Sequence, residues 1–580
     1  MRRLLCVLSI LLCACVGVSV DAMDGGSTGG GTSTGGGAST GGGTTGGGMS
    51  TGGGTSTGGG TSTGGGTSTG GGTTQACTAP AQPADISTPT TVVGTGTPAS
   101  CTEAALRAAI ASGGIITFSC GPAPTTITLT QTLNLRTDAN TVLDGKNLIT
   151  LDGASSVQLL SFNHGNYRVN DFGLTLQHLT LAHGKATGTM SYPTRPAPCS
   201  QGFYDGSGGA VFVRDGVLKV FDVTFDSNQA ALLGPDVGGG AVYLEGAKRA
   251  LFVDAVFTNN QASNGGALGS LNSDFDVFNS RFEHNVATGN GANSDDASKC
   301  SILDTVTNQH QVGSGGNGGA IAIDGGGDLD KTFCGVTFRA NQGGAGALGG
   351  ALFRTPDVSK QPTTIDRCTF DANTVPAGGG GALYFHNSTL QLWRSTLSNN
   401  VAQGPGGLQA DGTTLDFEND TFSGNEATAG LGGAVALFGG DGAIRFCTFA
   451  DNLANGGSAY FGAAITAFAT LAIDGSLFAG NLAQNAGAPM QCRLDASSGA
   501  GDLQWPVNHV VGGGADTPCV PAITFADPRL GALGDHGGPT STRVPAMGSP
   551  AIGKGTNCPA VDQRGNVRPA TGCASGAVEP

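Results

Sequence analysis

The chain has 580 residues, 103 of them Gly, and carries 42 acidic against 27 basic side chains for a net charge of -15. It is too long for one ordinary core, and its Gly excess marks a repetitive or partly disordered protein. The negative balance repels phosphate backbones and anionic headgroups, which excludes nucleic acid as a partner.

Residues 1–22, "MRRLLCVLSILLCACVGVSVDA", place Arg2 and Arg3 before an apolar run too short for a convincing membrane span, the pattern of an export signal. Within it "LCAC", Leu12 to Cys15, resembles a bacterial lipobox, which would make Cys15 the lipidated first residue of the mature chain, while "VDA" ending at Ala22 offers an ordinary signal-peptidase site instead. Residues 23–76 read as a disordered Gly/Ser/Thr tether built from "TGGGTS" units, spanning ~40 Å root-mean-square. A tether directly after Cys15 favours the lipid anchor and confines membrane contact to it.

Residues 77–170 read as an N-terminal cap and first turns. There "TEAALRAAIAS", Thr102 to Ser112, puts Ala and Leu on one face of a short helix that would cover an open first turn.

Residues 171–486 repeat. Phe225, Phe257, Phe282, Phe338, Phe370, Leu397, Phe422, Phe449 and Phe478 share one column at a solenoid period, mostly 25 to 32 residues. Three residues on, the column is Asn228, Asn260, Asn285, Asn341, Asn373, Asn400, Asn425, Asn452 and Asn481, nine of nine. Five before the Phe it is apolar throughout, and two before it is small or polar, from Val223 to Ser476. Inward positions therefore step by two, three and two, so a corner separates two short strands in each turn. Asn tolerates a left-handed corner and its amide can bond to the next turn, which predicts an Asn ladder. Gly-Gly-Ala, intact in seven rows, marks a tight return into the next turn, with worn copies at Gly406 and Gly462. Insertions fall between the Asn and the next Ala, or Leu408 in the worn copy, on one edge of the solenoid.

The "GGA[VIL]" and "FxxN" pairs resemble the repeats of polymorphic outer-membrane proteins, and the chain is similar to right-handed parallel β-helix surface proteins. Residues 487–580 read as a C-terminal cap, in which the stretch from Asp527 to Pro580 closely resembles a choice-of-anchor Q domain. The resemblance implies an all-β, pectin-lyase-like single-stranded solenoid at the bacterial surface or outer membrane, with no settled reaction. The chain leaves no room for a terminal membrane barrel, so autotransport is not expected.

Outside the signal an even dozen Cys predicts disulfides in an exported protein. Cys101 with Cys120, Cys492 with Cys519, and Cys558 with Cys573 bracket the caps, and Cys199 with Cys300 would join the two longest insertions. Cys368 and Cys447 lie three turns apart, about 14 Å, too far to pair.

Catalysis on such a fold needs converging carboxylates. Asp295 and Asp296 have no obvious partner, His183 and His310 stand alone in loops, and Asp562 with Arg564 suits internal pairing; no catalytic residue, metal or cofactor is expected. Asp420, in the inward column, is expected to turn to solvent through a local strand shift, the alternative being a buried, hydrogen-bonded or protonated carboxyl. The best constellation is the corner of Asp366, Arg367, Trp393, Arg394, Glu418, Arg445 and Asp474, read either as a glycan-binding face with Trp as platform or as a surface ion-pair ladder. Phe221, Val253, Phe278 and Cys334 hold the same outward place in earlier rows, so something covers them. A second candidate is a loop knob with Tyr192, Arg195, Phe203 and Tyr204. The expected function is that of a monomeric, tethered, non-enzymatic protein in adhesion or glycan binding at a host or neighbouring cell surface. A polysaccharide lyase or hydrolase is the first alternative and a structural spacer the second.

Overall fold

The computed structural model describes residues 76–166, 168–188, 206–234, 237–289, 301–304, 309–312, 315–325, 330–356, 360–456, 461–484 and 489–580. Across these the repeats wind into a parallel β-helix of three main strands per turn. In one turn Leu383–His386 is the first strand, Thr389–Trp393 the second and Thr396–Ser398 the third, with Val401–Ala402 adding a short fourth pairing. Each strand pairs in parallel with its counterparts one turn away, so Leu392 lies between Ile365 and Phe417, and Leu397 between Phe370 and Phe422. The helix Glu103–Ser112 covers the first turns. Thr102 Oγ1 accepts from the Ala105 N–H at 3.2 Å, and Leu106, Ala109 and Ile110 join the solenoid core.

The Phe column is a stack. Rings of Phe225 and Phe257 are 4.6 Å apart and 6° from parallel, and Phe338 on Phe370 repeats this at 4.6 Å and 4°. Beside it runs the Asn ladder, buried throughout. Asn373 Oδ1 accepts both the backbone N–H and the side-chain amide of Asn341, at 3.0 and 2.9 Å. Asn373 in turn donates both groups to Asn400 Oδ1, each at 3.0 Å, and its amide also reaches the Phe338 carbonyl at 3.0 Å. The pattern runs unbroken to Asn481, whose amide ends on Gln491 Oε1 at 2.8 Å. Gly184 stands in the Asn place one turn earlier and donates to Asn228 Oδ1 at 2.8 Å.

One expectation is corrected here. The left-handed residue is not the ladder Asn but the residue before it: His183, Ser227, Asn259, His284, Ala340, Ala372, Asn399 and Asp451 all have φ near +50°, with Gly424 and Gly480 in the same place. The Asn N–H must point along the axis to donate, so the preceding residue makes the reversal. In the Gly-Gly-Ala return the first Gly takes the left-handed backbone, as in Gly380 at +67°, and a Cβ on Gly381 would lie 2.1 Å from the Gly406 carbonyl of the next turn. The worn copy is also re-registered: Leu383 pairs with Leu408, so Gly407 takes the Ala place.

The column two before the Phe is a second, interior ladder. Where the next turn carries a polar side chain in this column, that side chain accepts the corner N–H: Cys368 N–H by Ser395 Oγ at 3.0 Å, Ser395 N–H by Asp420 Oδ1 at 2.8 Å, and Cys447 N–H by Ser476 Oγ at 3.1 Å. This overturns the expected exposure of Asp420, which is fully buried because its carboxyl is needed by that N–H. Burial pushes its carboxyl well above the usual range, and the Cys447 thiol faces its second oxygen at 3.8 Å. Cys368 and Cys447 are unpaired buried thiols, and burial pushes Cys368 up to about 12. Asp502 ends the ladder: Oδ1 accepts from Ser476 N–H at 2.7 Å, Oδ2 has no partner, and burial raises the carboxyl to about 8.

Two outcomes are expected. Asn373→Ala removes an acceptor of two bonds and two side-chain donations, and lowers stability by ~1 to 3 kcal/mol; an unchanged denaturation curve contradicts the ladder's role. Asp502 titrates at about 8 in the fold against a reference value of 3.8, so the folded protein holds the extra proton between those limits. Its stabilisation is complete below pH 3.8 and is lost as pH rises through about 8. Asp502→Asn therefore melts increasingly above the wild type between pH 4 and 8, and a difference independent of pH overturns the assignment.

Candidate binding face

Both ends of the described chain fold back onto the solenoid. At the N-terminal end, residues 77–84 run along the corner outside the second strands. Cys77 is disulfide-bonded to Cys334, 257 residues away. Cys77 also exchanges two hydrogen bonds with Asn279, each at 3.0 Å, and Ala84 exchanges two with Gln177, at 2.8 and 3.1 Å. Between them Ala79 and Ala81 pack on Phe221, Leu251, Val253 and Phe278. This strap is the cover those apolar outward positions require. It crosses five turns, about 19 Å at the usual strand spacing. Two sequence features mark it, Cys77 as the first Cys after the tether and Cys334 in an apolar outward column, but no repeat or local pattern encodes their pairing.

The C-terminal segment lies on the outer face of the third strands. Gln563 donates to the Ser395 carbonyl and Thr396 Oγ1, and its carbonyl accepts from Thr421 Oγ1 at 2.6 Å. Thr448 Oγ1 accepts from Ala577 N–H at 3.0 Å, and Leu477 packs with Ala551. Hence Thr396, Thr421, Thr448 and Leu477 are buried although they point outward. Asp562 and Arg564 pair at 2.9 Å and brace this segment. Disulfides Cys101–Cys120, Cys492–Cys519 and Cys558–Cys573 staple the two ends.

Between strap and C-terminal segment the outer face of the second strands stays open from about Thr364 to Arg445. One row in register is Asp366, Trp393, Glu418, Arg445 and Asp474; the next, two residues earlier, is Thr364, Gln391 and Asp416. Trp393 is half-buried between Asp366 and Glu418. Asp366 is buried and matched by two arginines: Arg394 binds both its oxygens, at 2.9 and 2.7 Å, and Arg367 one at 2.9 Å. Arg367 also lies 3.2 Å from Cys334 Sγ, so this ion cluster seats on the strap's disulfide. Further along, Arg445 donates to Asp416 at 2.7 Å and Glu418 at 3.2 Å, with both Arg445 and Glu418 about a third exposed. Asp416 and Gln391 were not singled out from the sequence; only their register with Trp393 finds them. Thr364 donates to Gln391 Oε1 at 2.8 Å.

The charges of Asp366, Arg367, Arg394, Asp416, Glu418 and Arg445 are thus committed to one another, while Asp474 Oδ1 accepts from the Ala500 N–H at 3.1 Å. These charges hold Trp393 between fixed polar rows, beside Gln391, Thr364 and the outer edge of Arg445. The carboxyls that burial raises furthest, Asp420 and Asp502, belong to the interior ladder instead. His183 is not isolated, since its Nδ1 lies 3.0 Å from Asp152 Oδ2. Among the described residues no group of three or more His, Cys, Asp and Glu is arranged to hold a metal ion. Cys15, Tyr192, Arg195, Cys199, Phe203, Tyr204, Asp295, Asp296 and Cys300 lie outside the described residues, as does the side chain of His310, in the strand Gln309–Val312 that pairs antiparallel with Ser301–Asp304.

No family model matches the chain. A stretch of 107 residues, 16% of the chain, is 36% identical to the Chlamydia pneumoniae protein named "Probable outer membrane protein pmp6", and takes in 8% of that protein's length. The local likeness and the long parallel sheet together fit a β-helix of the polymorphic outer-membrane type.

Replacing Cys77 and Cys334 together by Ser should release the strap. Limited proteolysis is then expected to cut before Cys101 and an apolar dye to bind the bared Phe221, Val253 and Phe278; an unchanged cleavage pattern contradicts the clasp.

Proposed function

We propose that the protein is displayed on a bacterial surface and acts without catalysis, as an adhesin-like module that binds glycan along the open second-strand face. Two findings support display: the export-type N-terminus and the stretch shared with the outer membrane protein of Chlamydia pneumoniae. Under this reading Cys15 carries the lipid, residues 23–76 are the tether, and the segment from Asp527 serves as an anchor-Q-like brace. The observation that carries the binding reading is the register of Trp393 with Asp366 and Glu418, whose charges arginines already neutralise. Aromatic stacking with flanking amide and hydroxyl groups suits a neutral sugar, and paired carboxylates suit proton transfer poorly.

A glycan array probed with the purified chain, beside a reducing-sugar and unsaturated-uronate assay, tests this reading. Binding without product formation is expected, and Trp393→Ala should weaken it about tenfold or more with little change in melting temperature. Product formation, or binding indifferent to Trp393→Ala, removes the proposal. Surface display is read in parallel by palmitate labelling, expected on Cys15; cleavage after Ala22 with no label contradicts the anchor.

A further inference from the structure

Inside the solenoid, neighbouring turns carry charge where most carry hydrocarbon. The inward column of the first strands runs Leu244, Ser270, Ile323, Arg354 and Phe385, and in the second strands Lys331 lies in register with Thr363. Lys331, Arg354 and Thr363 have no solvent exposure and Ser270 is 3% exposed. Among the described residues the carboxylates acting on this group are Asp274, ion-paired to Arg168, and Asp276, ion-paired to Arg249. Lys331 Nζ lies 3.7 Å from Asp274 Oδ1, beyond hydrogen-bonding distance, and 5.9 Å from the centre of the Phe275 ring. Arg354 satisfies only Nη2, on Gln361 Oε1 at 2.9 Å. Lys331 Nζ, Arg354 Nε and Nη1, Ser270 Oγ and Thr363 Oγ1 have no hydrogen-bond partner.

Arg168, Lys331 and Arg354 thus share the Asp274 carboxylate, and such an excess of cations in a dry core is costly unless a further counter-charge joins them. The two heads act electrostatically on each other and on Asp274, which gathers them at the turn that holds Ser270. Their mutual repulsion and their burial both demand an acceptor. We propose that this cluster is an anion site, in which one small monovalent anion of the halide class is enclosed by Lys331 Nζ and the Nε–Nη1 edge of Arg354, with the hydroxyls of Ser270 and Thr363 completing the shell. A close-packed interior with few voids larger than a water molecule favours a small monatomic anion over a polyatomic one. Burial lowers Lys331 to about 8 and Arg354 to about 10 in the absence of such a partner, so both remain protonated at neutral pH and the demand for negative charge persists.

The test uses bromide as the probe. Crystals of the full chain grown in sodium bromide should show an anomalous peak within contact distance of Lys331 Nζ and Arg354 Nε; water density or no peak there overturns the site. In solution the melting temperature should rise by several degrees from sodium gluconate to sodium bromide at equal ionic strength. In the Lys331→Met/Arg354→Leu variant that increment should vanish while stability in gluconate is kept or improved. An equal increment in the variant shows a general salt effect and also overturns the site. If the variant fails to fold, the crystal measurement still decides.

Discussion

One side-chain amide per turn holds this molecule in register. Each ladder Asn accepts two N–H groups from the turn before, as Asn425 Oδ1 does from Asn400, and gives two to the turn after, as Asn425 does to Asn452. A slip of one residue would leave four buried polar groups without partners at every turn it crossed, a penalty no surface contact offsets. With the corner fixed, the Phe column is forced to stack and the Gly-Gly return must close against the next carbonyl. Length variation is left to the edge between Asn and Gly-Gly-Ala.

The same demand, that buried corner N–H groups find acceptors, explains why the interior is not wholly apolar. Cys368, Ser395, Asp420 and Asp502 stand in the column two before the Phe because each accepts from the neighbouring corner, and two of these acceptors are carboxyls that burial pushes above the usual range. Specificity of register is thus obtained at some expense in hydrophobic area. Lys331 and Arg354 depart further, since they serve no corner and meet too little negative charge.

Much of the fold could be read from periodicity. The columns of Phe225 to Phe478 and Asn228 to Asn481 recur with the turns, and Thr102 marks the capping helix by local chemistry. Features outside the period were hidden. Cys77 meets Cys334 across 257 residues, and Gln563 meets Thr396 and Thr421 across 167 and 142, contacts that no repeat or local propensity encodes. The apolar Phe221, Val253 and Phe278 revealed that a cover exists but not what it is. Asp420 was misjudged because a carboxyl in an inward column ordinarily signals an error of register, whereas here a neighbour's N–H calls for it. At the binding face Trp393 and its charged row were legible as a column, while the arginine that each carboxylate serves depended on side-chain direction at the corner.

Strap and C-terminal segment bury the outward corners of the early turns and the outward third strands of the late turns, and the second-strand face around Trp393 lies between them. The rigidity of that face rests on the ladder beneath it. Amide hydrogen exchange resolved to single residues tests this dependence most directly: the backbone N–H of the ladder Asn should be among the slowest in every turn from Asn228 to Asn452, with protection nearly level along the axis. Protection that decays steadily from the central turns toward either end would show turns opening one at a time, and would contradict a register held in common by the ladder.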